Sequence, residues 1–244
     1  MATDRALLDL ADRDHVAALR LYAWAPRCLS FGRHEPALRR YDRARLEALG
    51  LDTVRRPTGG RAVWHAAELT YSLAAPAALV GSLAETYDRI HRLFARALER
   101  LGVRAAMAPR PARAALPDAG ACFAVPAGGE LLVAGRKVLG SAQLRVGEAV
   151  LQHGSLLLAG DQRLVDLVRC DSPAPAGSAA AAAWDTGGAL PLGRAVTFDE
   201  ASAALAAAAS DEWPVEAFGD IERFVADAGR RFAEFRDPAW TWRR

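Results

Sequence analysis

The sequence predicts an α+β fold in which a mixed β-sheet is flanked by helices. Three observations carry this. Short apolar runs with strand-like alternation recur between Gly- and Pro-containing turns. One long segment, Leu83–Leu101, repeats apolar residues at helical spacing. The helical segments fall irregularly among the strands instead of alternating with them, which argues against a parallel α/β architecture. At 244 residues the chain can bury a substantial core, and it reads as a single domain over 1–244 with a looser helical portion from about residue 195.

In chain order, residues 2–12 form a short helix with Ala6, Leu7, Leu10 and Ala11 on one face. Leu19–Trp24 alternates like a strand, and Cys28–Phe31 makes a second, ended by Gly32. Arg43–Leu49 is helical, with Gly50 just past its end. Leu51–Arg56 enters a Pro57-Thr58-Gly59-Gly60 turn, and Ala62–Trp64 and Leu69–Ala74 are the strands that follow. Ser82 and Glu85 form a capping box for the long helix, whose buried stripe is Leu83, Tyr87, Ile90, Phe94, Leu98 and Leu101. From Ala106 to Gly120 prolines interrupt an irregular connection that delivers Cys122. Glu130–Val133, Lys137–Gln143 and Ala149–Leu158 are strand-like, and Asp161–Val168 is helical. Ser172 to Leu192, rich in Pro, Ala and Gly, is a loose loop. Thr197 and Glu200 cap an Ala-rich helix, and a last amphipathic helix runs near Ala217–Phe235.

The net charge of +2 argues against a nucleic-acid partner. Arg39, Arg40, Arg43 and Arg45, followed by Arg55, Arg56 and Arg61, would suit a basic face toward an acidic partner, or simply a solvated surface. Cys28, Cys122 and Cys170 are far apart and form no CxxC pair, so neither a disulfide framework nor a structural zinc site is expected. Residues 1–14 carry six charges where a signal peptide would be apolar, and no segment approaches the ~20 apolar residues of a membrane span. A cytoplasmic protein without membrane contact is the expectation.

Three constellations could carry chemistry. In Arg55-Arg56-Pro57-Thr58-Gly59-Gly60-Arg61-Ala62-Val63-Trp64-His65, two glycines let the backbone approach a ligand, and exposed N–H groups flanked by arginines suit an acyl carbonyl or a phosphate. For a lone Gly-Gly pair, a tight strand connection is usually the better explanation. In Gly135–Gln143, a continuous strand would put Lys137, Leu139, Ser141 and Gln143 on one face and Val138, Gly140 and Ala142 on the other. The first face could line a polar pocket, or be the solvated side of an edge strand. In Leu151-Gln152-His153-Gly154-Ser155, His153 and Ser155 point the same way, yet a single strand histidine is more often a satisfied core residue than a catalyst. Cys122 ends a Pro-punctuated loop, where catalytic groups concentrate, whereas Cys28 and Cys170 sit in contexts that suit small buried hydrophobes. A cation such as Lys137 nearby would favour the Cys122 thiolate.

Read together, R-R-x-T-G-G-x-A-V-x-H, C-F, G-R-K-x-x-G-S-A-Q and L-Q-H-G-S-L-L-L resemble the lipoate–protein ligase A / octanoyltransferase superfamily, and within it the LipM-type octanoyltransferases. Leu19–Gly32 and the opening Met1–Leu8 also resemble family segments; the likeness weakens beyond about residue 170. The chain departs from many relatives at Glu35, where they carry Gln, and it begins at the first family helix without a preceding strand, which an upstream start codon would explain. The resemblance implies a biotin/lipoate protein ligase catalytic-domain fold, related to class II aminoacyl-tRNA synthetases, with one acyl-binding tunnel. It implies that Arg56, Thr58, Gly59, Gly60, Arg61, His65, Gly140, Ser141, Ala142, His153 and Gly154 border the acyl site. It implies that Cys122 carries the acyl group as a thioester and that Lys137 assists it.

The implied reaction moves octanoyl from octanoyl-acyl carrier protein to a lysine of glycine cleavage H protein or of an E2 lipoyl domain. Because thioester to amide is downhill, no ATP, cofactor or metal is implied. Two alternatives share the family: an amidotransferase passing octanoyl from H protein to E2 domains, and an ATP-dependent lipoate–protein ligase. A monomer is expected, since no self-complementary stripe is visible.

Overall fold

The computed structural model describes residues 1–109, 129–173, 189–219 and 221–243. The strands among the described residues form three sheets. β1 (Ala18–Tyr22), β5 (Glu68–Pro76), β9 (Leu139–Val146) and β10 (Ala149–Leu157) build a four-stranded antiparallel sheet in the order β1-β5-β10-β9. In the second sheet β2 (Cys28–Phe31) runs parallel to β3 (Asp52–Arg55) and antiparallel to β4 (Val63–His65). The third, β6 (Ala106–Met107), β7 (Leu131–Val133) and β8 (Arg136–Lys137), is a small antiparallel sheet. The α+β class is as expected, but the mixed sheet is only one of the three.

Strand alternation decides what each face of the large sheet meets. Leu69, Tyr71, Leu73 and Ala75 of β5 face the long helix α5 (Leu83–Arg100), packing with Ile90, Phe94 and Leu98. An Ala-rich helix, Phe198–Ser210, lies against α5 and adds Ala201, Leu205 and Ala208 to the same core. The opposite face carries Ala74, Ala149 and Leu151, covered by Leu7, Leu8 and Ala11 of α1 (Ala2–Asp14). Further along that face the alternating positions turn polar: Thr70 and Ser72 of β5, His153 and Ser155 of β10, all buried.

Among the described residues the other helices are α2 (Ala37–Arg40), α3 (Arg43–Ala48), α4 (Ala77–Val80), α6 (Arg163–Leu167), α7 (Phe198–Ser210), α8 (Ile221–Gly229), α9 (Phe232–Arg236) and α10 (Pro238–Thr241). The local signals behave as their chemistry requires. Both capping boxes form, at Ser82/Glu85 and Thr197/Glu200. Gly50 and Gly102, past the ends of α3 and α5, take positive φ.

Five expectations change. Leu83 is exposed, and the buried stripe of α5 centres on Thr86, Ile90, Leu93, Phe94, Ala97 and Leu98, because the helix is wedged between two partners. In α1 the buried set includes Asp4, while Ala6 and Leu10 are only half-buried. The expected strand Lys137–Gln143 breaks at Val138, whose N–H donates to Leu131 and whose carbonyl accepts from Leu157. Lys137 therefore belongs to the small sheet, and Ser141 and Gln143 to the large one. The expected helix near Ala217–Phe235 is divided between α8 and α9. Cys170 is exposed, not buried.

Candidate functional site

The Pro57–Gly60 turn joins β3 to β4 and is held by the side chain that immediately precedes it. Arg56 Nη1 donates to the Ser30 carbonyl (3.0 Å) and to Ser30 Oγ (2.5 Å). Its Nη2 donates to the carbonyls of Arg61 (2.6 Å) and Gly59 (3.3 Å). One planar guanidinium thus ties β2 to both sides of the turn, a task for which its forked donors are suited. Gly60 sits at φ +93°, where a side chain is strained. Gly32, just after β2, lies so close that an added Cβ would stand 1.7 Å from the Gly60 carbonyl oxygen.

His65 ends β4 in a fully buried polar cluster. Its Nδ1 faces Glu68 Oε1 at 2.7 Å and its Nε2 faces Ser30 Oγ at 2.6 Å. Since Glu68 Oε1 also accepts from Thr70 Oγ1 (2.5 Å) and Ser155 Oγ (2.8 Å), Nδ1 carries the proton and Nε2 accepts from the Ser30 hydroxyl. Trp24 stacks on the ring at 4.4 Å and donates its Nε1–H to Thr70 at 3.0 Å. The imidazole is locked on every polar side and presents a wall.

His153 is tied to the opposite end of the chain. Its Nδ1 lies 3.0 Å from Asp4 Oδ2, and its Nε2 2.6 Å from Thr58 Oγ1. Arg20 (3.1 Å) and Tyr22 OH (3.4 Å) also donate to Asp4. Burial alone would raise the Asp4 carboxyl, but the chain's amino terminus, His153 and Arg20 together hold it far below the usual range. Burial outweighs Asp4 at His153 and lowers its pKa, so the ring is neutral at pH 7. With Nδ1–H given to Asp4, Nε2 accepts from the Thr58 hydroxyl and fixes the turn from beneath.

These clusters wall one cavity of about 440 Å³, including its open mouth. Arg56, Gly60, His65, Gly140, Ser141, Ala142, His153 and Gly154 border it, together with the apolar surfaces of Tyr22, Trp24 and Val63. Thr58 stands just behind His153, and Gly59 and Arg61 contribute the carbonyls that hold Arg56. Gly154 has no room for a side chain, because a Cβ would meet the Gly140 carbonyl at 2.0 Å and Tyr71 at 2.9 Å. The Ser141 hydroxyl is bound by Tyr71 OH (2.7 Å) and His91 Nε2 (2.9 Å) from α5, so the polar face expected along β9 is packed against a helix.

Lys137 is buried with its Nζ 2.5 Å from Glu130 Oε1. Cys122 lies outside the described residues. Cys28 is buried, and burial together with Asp52 pushes its thiol up to about 12, so it is inert. The arginine cluster is not a single basic face, since Arg55 and Arg56 are buried and Arg45 is bound to backbone carbonyls, that of Leu167 at 2.5 Å among them. Sequence reasoning missed Asp4, Ser30, Glu68, His91 and Glu130. The alternation of Glu68, Thr70 and Ser72 within an apolar strand was a legible sign of a polar inner face; Asp4 gave no such sign. Among the described residues no helix is long and apolar enough to cross a membrane.

A family model described as the lipoyl protein ligase A/B catalytic domain matches residues 1–183. The octanoyltransferase LipM of Carboxydothermus hydrogenoformans is 41% identical over 165 residues, which cover 66% of this chain and 61% of that protein. The octanoyltransferase LipM of Exiguobacterium sp. is 34% identical over 100% of this chain and 93% of its own length. In fold, the chain is similar to a putative lipoate protein ligase of Thermoplasma acidophilum with bound lipoic acid. That match has a TM-score of 0.75 and 20% identity, covering 99% of this chain and 91% of the other.

Proposed function

The chain belongs to the lipoyl protein ligase A/B catalytic domain family, and from that membership we propose that it is an octanoyltransferase of lipoate biosynthesis acting through a thioester on Cys122. The observation that carries the reading is the convergence on one cavity of three segments far apart in sequence, around Arg56–His65, Gly140–Ala142 and His153–Gly154. The polar groups in the wall are largely bonded to one another, which leaves the space to an apolar ligand. Each buried CH₂ of an acyl chain contributes roughly 0.8 kcal/mol, so cavity length selects chain length. Similarity to proteins named octanoyltransferase LipM supports an octanoyl chain.

In the first half-reaction the Cys122 thiolate attacks the carbonyl carbon of octanoyl-acyl carrier protein. A new C–S bond forms, the bond to the carrier sulfur breaks, and the carrier leaves as its thiol after taking a proton. Lys137, held by Glu130, supplies the positive charge that favours the Cys122 thiolate. Backbone N–H groups of the Pro57–Gly60 turn are suited to the oxyanion. In the second half-reaction a neutral lysine amine of glycine cleavage H protein or an E2 lipoyl domain attacks the acyl-enzyme. The C–N bond forms, the C–S bond breaks, and the amine's proton leaves with the Cys122 sulfur. We place the enzyme in the cytoplasm, as a monomer.

Incubation with octanoyl-acyl carrier protein, without ATP, should add one octanoyl group to the intact mass, and Cys122→Ser should add none. No gain by the wild type, or a thioester adduct on Cys122→Ser, overturns the nucleophile assignment. A strict need for ATP and free lipoate makes the chain a ligase, and loading from octanoylated H protein alone makes it the amidotransferase.

A further inference from the structure

Adjacent residues in β3 and the turn leave the backbone in opposite directions. Arg56 turns to the cavity. Arg55 turns away and is completely buried, yet among the described residues it forms no salt bridge with a carboxylate. It is bound by carbonyls from two separate parts of the chain. Nη1 donates to Gly32 (2.6 Å), Glu35 (2.8 Å) and Arg33 (3.2 Å), in the loop after β2. Nε donates to Trp240 (2.9 Å) and Thr241 (3.1 Å), and Nη2 to Arg243 (3.3 Å), all in the last residues of the chain. Trp240 Nε1 returns a hydrogen bond to the Arg55 carbonyl at 3.2 Å, and the Arg243 side chain reaches the Arg33 carbonyl.

The loop held in this way is the support of the turn. The Arg33 N–H donates to the Thr58 carbonyl at 2.7 Å, and Gly32 abuts Gly60. Trp242 secures the tail by packing against Phe31 at 5.2 Å within the core of the second sheet. A continuous path runs from α10 through Arg55 to residues 32–35, then to Thr58 and Gly60 in the cavity wall. Residues 238–243 lie outside the stretch matched by the family model, which ends at residue 183.

We propose that this C-terminal segment is a strap that completes the acyl site, with Arg55 as the positioning residue through which it holds the Pro57–Gly60 turn. A buried guanidinium stripped of half its carbonyl partners must move to find others or to reach water, and the loop it holds moves with it. The proposal deepens the acyl-transfer reading and rests on it for its kinetic consequence only.

The test compares the intact chain with a chain ending at Asp237 and with Arg55→Lys and Trp240→Phe. Amide hydrogen exchange is measured peptide by peptide, and acyl loading from octanoyl-acyl carrier protein is timed. The strap predicts that exchange across residues 56–61 speeds up by about tenfold or more while β5 and β10 keep their protection. It also predicts that the loading rate constant falls about tenfold with the KM for the carrier unchanged. Arg55→Lys should share this pattern, because an ammonium cannot span both sets of carbonyls. Unchanged exchange at 56–61, or an increase shared equally by β5 and β10, overturns the proposal. If the shortened chain does not fold, Trp240→Phe decides, since it removes one hydrogen bond and keeps an aromatic ring at that position. Failure of the intact chain to load octanoyl strikes the Cys122 reading alone, because the exchange measurement needs no substrate.

Discussion

Gly32→Ala probes the contact between the loop after β2 and the Pro57–Gly60 turn. A Cβ built on Gly32 lies 1.7 Å from the Gly60 carbonyl oxygen and 2.6 Å from its carbon, both backbone atoms. Real Cβ contacts begin near 3.0 Å, so the turn must retreat by about 1.3 Å. Arg56 and Thr58 anchor that turn to β2 and β10, so the retreat strains bonds that are already made. Overpacking of this kind costs about 1–3 kcal/mol. A displacement of ~1 Å at a reacting centre costs on the order of 10²-fold in rate. Urea unfolding should therefore record a loss of about 1–3 kcal/mol, and single-turnover loading of Cys122, followed by intact mass, should slow roughly a hundredfold. Gly59→Ala is the internal control for stability, because a Cβ there meets nothing within 4 Å and should cost no more than ~0.5 kcal/mol. Loading by Gly32→Ala within about threefold of the unaltered chain, at equal stability, would refute the idea that the Gly32–Gly60 approach sets the site.

Lys137→Ala should slow acyl loading and raise the pH at which Cys122 is alkylated; an unchanged alkylation profile removes Lys137 from the mechanism. His91 is held at about 3, chiefly by burial and also by the Lys137 charge, against the pull of the Gly129 backbone. Unfolded, it titrates at 6.5, so between pH 6.5 and about 3 the unfolded chain carries a proton that the folded chain lacks. Stability from this group is complete above pH 6.5 and falls by about 1.4 kcal/mol per unit as the pH drops through that window. Urea titrations at pH 5 and 7 should differ by about 2 kcal/mol less in His91→Gln than in the unaltered chain; an equal difference in both contradicts the assignment. Iodoacetamide on the native protein should label exposed Cys170 and leave Cys28 untouched until denaturant is added. Labelling of both at one rate would show that β2 is not closed.

Much of the architecture was legible because its signals act over a few residues. The capping boxes at Ser82/Glu85 and Thr197/Glu200 are contacts between neighbours in sequence. The exits at Gly50 and Gly102 need only a backbone free to take positive φ, and Cys28–Phe31 is a strand whose bounds its flanking turns set. The cavity residues Arg56, Gly60, His65, Gly140 and His153 were named from motif strings, and they do meet around one space. Sequence alone determined most of the helices and strands, though not the break at Val138 or the division between α8 and α9, and the polar segments that would have to converge.

What holds those segments in place was decided only in three dimensions. Asp4 reads as one charge among six at the chain start, yet it is buried against His153, 149 residues away. Arg55 reads as half of an arginine pair on a basic surface, yet it is enclosed by carbonyls, the tail's 185 residues distant. The break at Val138 moves Lys137 into a different sheet from Ser141, against the expectation of one strand. For Asp4 and Arg55 the physical reason is the same. A charged side chain in water has no preferred partner, and only burial, which removes the water, makes one particular carboxylate or carbonyl necessary. Which partner is within reach depends on the topology of the whole chain, and no window of sequence contains it.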